Sequence, residues 1–295
     1  MKFGKVNPEQ LNDLDLSLPA DHPDTEKVLR AGPKPERPEV YVGCAKWGRK
    51  EWVGQIYPTG TKDKDFLSHY VRHFNSIELN STFYGTRKSI VEGWAEKAPP
   101  GFKFSPKFFR SISHFKRLTG AEEVTDAYLY IIDSFGDNLG TSFLQLPENF
   151  SPKRFENVKN YLEGLPEDVS ISVELRHPEW LSDEVVANET FALLSELKKT
   201  AVITDVAGRR DCVHQRLTTR EAFIRFNGYD LHPTDYARLD DWVQRLKLWL
   251  DMGLERVYFY SHQTDETNTP RTCAYFIEQM NKHCNTDLAL PQFLD

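Results

Sequence analysis

Glu174, Arg176 and His177 fall within four positions, at the end of the run Ser170-Ile171-Ser172-Val173-Glu174-Leu175-Arg176-His177. A carboxylate, a guanidinium and an imidazole in one place can hold an anion and move a proton. The residues before them read as a β-strand, whose side chains alternate faces. Ser172, Glu174 and Arg176 therefore share one side, and Ile171, Val173 and Leu175 the other. A strand covered by helices is normally apolar throughout, so charges on one face predict a polar cavity or a buried ion pair at its end.

The same design recurs along the chain. Strand-like runs bring Glu78, Asn80 and Thr82 to one face, then Lys103, Ser105 and Lys107, then Gln145, then Arg225 and Asn227, then Tyr258, Tyr260 and His262. Lys46 closes the first such run. For the run ending Thr204-Asp205 the phase is open, and either residue fits the inner face. Buried charges must be paired, and Glu78, Glu174, Arg176 and Arg225 could simply neutralise one another. Convergence of so many polar groups on one mouth favours a ligand site over packing alone. Two carboxylates with histidine also make a donor set for a divalent metal, the candidates being Glu78, Glu174, Asp205, His177 and His262. No His-x-His or His-Glu-x-x-His spacing supports a metal, and Arg176, Arg225 and Lys107 compete for the carboxylates.

Lys103, Lys107, Arg110, His114, Lys116 and Arg117 are interleaved with Phe108, Phe109 and Phe115. Basic residues alternating with aromatics can hold phosphates and stack bases. A solvated face anchored by its phenylalanines is the competing explanation. Trp47, Trp52, Tyr57, Phe83, Tyr84 and Trp180 are candidates for the walls of the mouth, whereas Trp94, Trp242 and Trp249 lie in helix-like segments and suit the core.

The elements that must position these residues alternate. Strands are expected at 40–45, 76–80, 103–105, 142–145, 170–175, 200–204, 222–226 and 256–261. Helices are expected at 66–74, 121–135, 152–162, 183–197, 240–252 and 271–281. Strand–helix alternation means parallel strands joined by crossovers. Eight such units in about 250 residues match a TIM (β/α)8-like barrel. An open doubly wound sheet would carry a glycine-rich phosphate turn after its first strand, and Gly43-Cys44-Ala45-Lys46-Trp47-Gly48 is not one. Residues 1–38 carry six prolines and read as an N-terminal extension, extended over the surface or partly mobile, before a single domain at 39–295.

Composition narrows the class of protein. The 295 residues carry a net charge of -7, with 39% hydrophobic, 27% charged and 13% aromatic side chains. These values fit a soluble globular protein with a large core, and exclude a whole-molecule basic field for nucleic acid or anionic membrane. No apolar run reaches the roughly 18 residues of a membrane span, and Met1 to Glu9 lack the apolar stretch of a secretory leader. Four scattered cysteines fit free thiols in a reducing cytoplasm.

Several of these segments together resemble the YecE-like family, a domain of unknown function. They are Gly43 to Trp47, Gly54-Gln55-Ile56-Tyr57-Pro58, Phe74 to Tyr84, Lys107, Ser113-His114, Gln145-Leu146-Pro147, Glu174-Leu175-Arg176-His177 with Trp180, and Arg225 with Asn227-Gly228. The resemblance spans about residues 40 to 262. Lys46 stands where the family pattern commonly has glycine. The resemblance implies a TIM-barrel-like fold and supplies no activity.

Three functions follow as expectations. The first is an enzyme acting on a small polar or anionic substrate, phosphorylated or sugar-like. Glu174, Glu78 and His177 would do its acid–base work, and Arg176, Arg225, Asn80, Lys107, His114, Gln145, Asn227, Trp47 and Tyr84 would bind the substrate. Glycosidases of this fold carry their carboxylates on strands four and seven, where Gln145 and Arg225 stand here. The second is binding or processing of nucleotides or single-stranded nucleic acid through residues 103–117. The third is a non-catalytic metabolite-binding module.

Overall fold

A computed structural model describes residues 3–294. The order along the chain is α1 (Pro23–Leu29), β1 (Glu39–Cys44), α2 (Phe66–Tyr70), β2 (Ser76–Leu79), α3 (Lys88–Ala95), β3 (Lys103–Pro106), α4 (Glu122–Ile132) and β4 (Ser142–Gln145). There follow α5 (Phe155–Glu163), β5 (Ile171–Glu174), α6 (Glu179–Ser182), α7 (Glu184–Glu196), β6 (Thr200–Asp205), β7 (Glu221–Asn227), α8 (Pro233–Met252), β8 (Arg256–His262) and α9 (Thr269–Cys284). All eight expected strands form, each within two residues of its expected bounds at either end.

The strands run parallel in the order β3-β2-β1-β8-β7-β6-β5-β4. The ring nearly closes between β3 and β4. There Gly140 N–H donates to Phe104 O at 2.7 Å and Phe108 N–H donates to Phe143 O at 3.0 Å, in place of a continuous ladder. The result is a TIM-like α/β barrel. β1 and β2 approach so closely that a Cβ on Gly43 would lie 2.0 Å from Ser76 O, so only glycine fits. The Asn75 side chain extends their pairing, accepting from Val42 N and donating to Val40 O, both at 2.8 Å.

Alternation divides the side chains as the sequence predicts. Outward residues such as Val42, Ile77, Phe104, Leu144, Val173, Ile203, Ile224 and Phe259 join the main core under the helices. Inward residues form layers. Tyr41, Phe143, Val202, Phe223, Tyr258 and Tyr260 make a separate apolar plug. The Tyr260 hydroxyl meets Ser76 Oγ at 2.6 Å and Ser105 Oγ at 2.7 Å. Charges lie above and below the plug, and the upper set sits where parallel strands end, the functional face of this fold.

Residues 3–38 contain more structure than the expected extended segment. Pro8–Asp13 forms a 3-10 helix and α1 follows, with Leu11, Leu16 and Leu29 buried. The connection from β6 to β7 has a single 3-10 turn, at Arg210–Cys212, and no α-helix. α1 docks against it: His22 N–H donates to Gln215 O at 3.0 Å, Thr25 Oγ1 donates to the same oxygen at 2.8 Å, and Leu217 N–H donates to Thr25 Oγ1 at 3.1 Å. Helix α8 starts seven residues earlier than its apolar pattern predicts. Asp235 and Arg238, an ion pair at 2.9 Å, take buried positions that apolar residues would have advertised. Among the described residues no helix is long and apolar enough to cross a membrane.

Candidate functional site

Arg225, near the end of β7, is the centre of the upper charged layer. Its Nε donates to Glu78 Oε2 and its Nη2 to Glu78 Oε1, both at 2.8 Å, a two-pronged grip that suits the planar guanidinium. Its Nη1 donates to Glu174 Oε2 at 2.8 Å. Strands β2, β5 and β7 thus lock together across the barrel. Arg225 and Glu78 are 0% exposed and Glu174 1%, so the three form the floor of the site and do not open to solvent.

Every carboxylate oxygen on this floor is engaged. Glu174 Oε1 accepts from Arg176 Nε at 2.8 Å and from Thr204 Oγ1 at 3.0 Å. Glu78 Oε1 accepts from Asn80 Nδ2 at 2.6 Å, and His262 Nε2 lies 3.1 Å from the same carboxylate. Burial alone would raise both acids, but the neighbouring cations outweigh it. Arg176, Arg225 and Lys107 draw Glu174 down to about 2. Arg225 and His262 hold Glu78 well below the usual carboxylate range. Both are ionised at neutral pH.

Above the floor lie Lys107, Gln145, Arg176, Asn227 and His262, each between 6% and 8% exposed. Lys107 Nζ donates to Gln145 Oε1 at 2.7 Å and sits 4.4 Å from the centre of the Phe83 ring. Burial and the repulsion of Arg225 bring its ammonium down to about 7, although Glu174 pulls the other way. His262 moves upward, since the Glu78 carboxylate and Glu266 overcome burial. Asn227 donates weakly to Arg225 O at 3.4 Å. Arg176 lies 4.4 Å over the ring of Phe3, and Arg209 Nη2 donates to Arg176 O at 2.8 Å. The N-terminal segment therefore covers the β5–β7 side of the mouth.

On the opposite side the residues are less buried. His114, half-buried, meets Ser113 Oγ at 2.8 Å and lies edge-on to Phe83 at 4.9 Å. Burial and Lys107 lower its imidazole to about 4. Asn80 is half-buried, and Tyr84 stands 78% exposed at the rim.

Other expected residues sit elsewhere. His177 caps the short helix α6, accepting from Glu179 N at 3.3 Å; among the described residues no hydrogen bond joins it to the floor. Trp47 packs edge-on against Trp94 and Phe104 in the helix layer. Trp52, Tyr57 and Trp180 are 0% exposed and belong to the core, so they do not line the mouth. Phe108 and Phe109 are buried as well, leaving Phe115 as the exposed phenylalanine of the basic loop. The phase of β6 resolves with Thr204 inward. Asp205 turns outward to Arg210, Arg238 and Trp242. Of the metal candidates only Glu78, Glu174 and His262 meet, and a guanidinium stands between the two acids. Among the described residues no three His, Cys, Asp or Glu side chains are grouped to hold a metal ion.

Two parts of the site had weak or no sequence signal. Phe3 lies far from any motif. Glu266, whose Oε1 is 3.8 Å from His262 Nδ1, is four residues beyond it and outside any strand. Clefts also exist at the other end of the barrel, including one of about 310 Å³ lined mainly by residues 71–75, 99–102 and 287–289. That end of the fold serves stability, and the cleft has no comparable buried charge.

The chain matches the family model described as "Protein of unknown function DUF72" over residues 41–293, and it belongs to that family. It is 27% identical over 262 residues to the UPF0759 protein YecE of Escherichia coli K12, covering 82% of this chain and 93% of that one. It is 28% identical over 153 residues to the UPF0759 protein YunF of Bacillus subtilis, covering 48% and 52%. Among solved structures it is similar to a DUF72 family protein of Thermotoga maritima, with a TM-score of 0.64 and 23% identity over 82% of this chain and 99% of that one. A DUF72 family protein of Enterococcus faecalis also gives a TM-score of 0.64, at 16% identity, covering 87% and 98%. These likenesses agree on the barrel and name no reaction.

Proposed function

We propose that the strand-end site binds a small anionic substrate, and that Lys107 is its proton-exchanging group. The observation that carries this reading is the charge imbalance of the upper layer. Among the described residues Arg225, Arg176 and Lys107 converge on the two carboxylates Glu78 and Glu174, and burial, with Arg225 beside it, brings the lysine to about 7. A site built only to neutralise itself would match its charges. A surplus of buried cations lowers in energy when an anion enters.

The roles divide by layer. Lys107, Arg176, Gln145, Asn227 and His262 would touch the ligand. Glu78 and Glu174 act as positioning residues that hold Arg225, Arg176 and His262 in place. Glu174 serves poorly as a general acid, because it is ionised and saturated with donors. A lysine near neutrality suits acid–base work on a phosphorylated or carboxylated compound.

Calorimetric titration with inorganic sulfate and phosphate tests the reading. Saturable binding is expected, with proton uptake near pH 7.5 detected by repeating the titration in buffers of different ionisation enthalpy. Lys107→Met should abolish the proton uptake and weaken binding at least about tenfold. Absence of saturable binding by both anions, or binding unchanged in Lys107→Met, would overturn it.

A further inference from the structure

The rim above Lys107 is aromatic and faces solvent. Phe83 is its hub: Lys107 Nζ lies 4.4 Å from its ring centre, His114 is edge-on at 4.9 Å and Tyr84 edge-on at 5.3 Å. One residue past His114, Phe115 carries the Arg110 guanidinium 4.5 Å from its ring centre. Tyr84 at 78% and Phe115 at 66% are the two most exposed aromatic side chains among the described residues. Both stand on loops leaving the carboxyl ends of β2 and β3. Tyr84 packs on Phe83 beside the cationic well and Phe115 stands on the adjacent loop, so both rings have a free face to stack on a ligand at that end.

The backbone here is costly. Ser111–Phe115 is a π-helical turn, a form that is rare and frequent at functional sites. Arg117 and Leu118 follow with φ of 51° and 63°, a conformation that non-glycine residues avoid. The loop after β7, across the same end of the barrel, repeats the feature at Asp230 and Leu231, with φ of 59° and 65°. Four of the six non-glycine residues with positive φ among the described residues thus stand at the carboxyl ends of the strands, Lys198 and Asn285 being the other two, and such strain clusters at ligand clamps.

From this juxtaposition we infer that the anion bound at Lys107 and Arg176 carries a flat ring, which Tyr84 and Phe115 stack at the rim: the ligand is a nucleotide, free or as the phosphorylated end of a single strand. The inference rests on the anion reading above and narrows it. Phosphate suits the cationic well, and a ring one sugar away reaches the rim. Arg110 and Lys116 beside Phe115 add positive charge where a strand would continue. A sugar phosphate lacking a base would leave both rings in water.

The test compares inorganic phosphate, ribose 5-phosphate and adenosine 5′-monophosphate by calorimetry on the full chain. The nucleotide should bind about tenfold or more tightly than ribose 5-phosphate, the scale of one base stacked on protein aromatics. Tyr84→Ala with Phe115→Ala should remove that difference and leave ribose 5-phosphate unchanged; both side chains are exposed, so the fold should persist. A 5′-phosphorylated oligothymidylate that outbinds its 5′-hydroxyl form and the mononucleotide would identify a strand end; equal or weaker binding would identify a free nucleotide. Equal affinity for nucleotide and sugar phosphate, or no change in the double variant, would overturn the ring inference and leave the anion reading standing. Failure of all three probes would overturn both.

Discussion

The two ends of the barrel interior use the same parts to opposite effect. At the lower end Arg256 joins Glu39 at 2.5 Å and Glu221 at 3.2 Å. At the upper end Arg225 joins Glu78 and Glu174 at 2.8 Å each. Each is one arginine bridging two glutamates. Below, Arg256 and Glu39 are 39% and 48% exposed, and burial raises Glu221 despite the guanidinium beside it. Above, the trio is sealed and both glutamates are pushed down. The lower set is short of positive charge and solvated except at Glu221; the upper has an excess held out of water. Composition of an ion cluster therefore says little by itself, and its burial and charge balance decide whether it closes a barrel or prepares a site.

Removing each arginine breaks the comparison most directly. Arg225→Gln leaves two ionised carboxylates facing each other without water, and a cost of about 3–5 kcal/mol is expected. Arg256→Gln frees the exposed Glu39 to solvent and leaves the buried Glu221 to take up a proton, since its value is already raised, and a smaller cost of about 1–2 kcal/mol is expected. Urea unfolding at pH 7 measures both. Equal losses would mean that the two clusters are structurally equivalent.

How much of this was legible from sequence follows from period and phase. All eight strands were readable because their outward residues are apolar and their ends are marked by polar residues. The convergence of Glu78, Glu174 and Arg225 followed from alternation alone. The phase of β6 is open in the sequence because Thr204 and Asp205 are both polar, and distant partners decide it, Glu174 inside the barrel and Arg238 and Trp242 of α8 outside. Aromatics were misassigned to the mouth because residue type does not tell a wall from a core. Trp180 buries its ring, with Nε1 donating to Phe150 O at 2.6 Å. The N-terminal segment misled for a related reason. Its prolines suggest an extended chain, but its leucines and Thr25 meet partners more than 180 residues away, which no local pattern records.

Lys107 sharpens the comparison with a sign that a structural residue would not give. Its folded value of about 7 lies below the ordinary lysine value of 10.5. Below pH 7 both folded and unfolded chains carry the proton, and the folded chain bears the full cost of a buried charge. Between about 7 and 10.5 the folded chain gives the proton up first, and the cost is relieved. Lys107→Met should therefore stabilise the protein, by about 1–3 kcal/mol below pH 7, with the gain fading toward pH 10. Thermal unfolding at pH 6 and pH 10 measures it. A residue that costs stability and is needed for anion binding marks a functional end of the barrel; a loss of stability in Lys107→Met at pH 6 would remove that distinction.

Glu221 gives the smallest effect and the finest contrast. Two of the interior glutamates, Glu174 and Glu221, respond to acid in opposite directions. Glu174, held at about 2, adds stability that is present above its unfolded value of 4.5 and is lost as pH falls toward 2. Glu221 has its folded value raised, so its contribution is fully present below 4.5 and is lost as pH rises through the folded value. At pH 7 Glu221 is thus a mild liability, eased by Arg256 at 3.2 Å and Thr200 Oγ1 at 3.3 Å. Glu221→Gln should change stability by less than about 1 kcal/mol at pH 7, toward greater stability, and should show no gain at pH 4. Denaturant midpoints of this variant and the parent protein at the two pH values decide the sign. A clear loss at pH 7 would mean that Arg256 depends on Glu221 as Arg225 depends on its glutamates, and the lower end would then be a sealed ion cluster like the upper one.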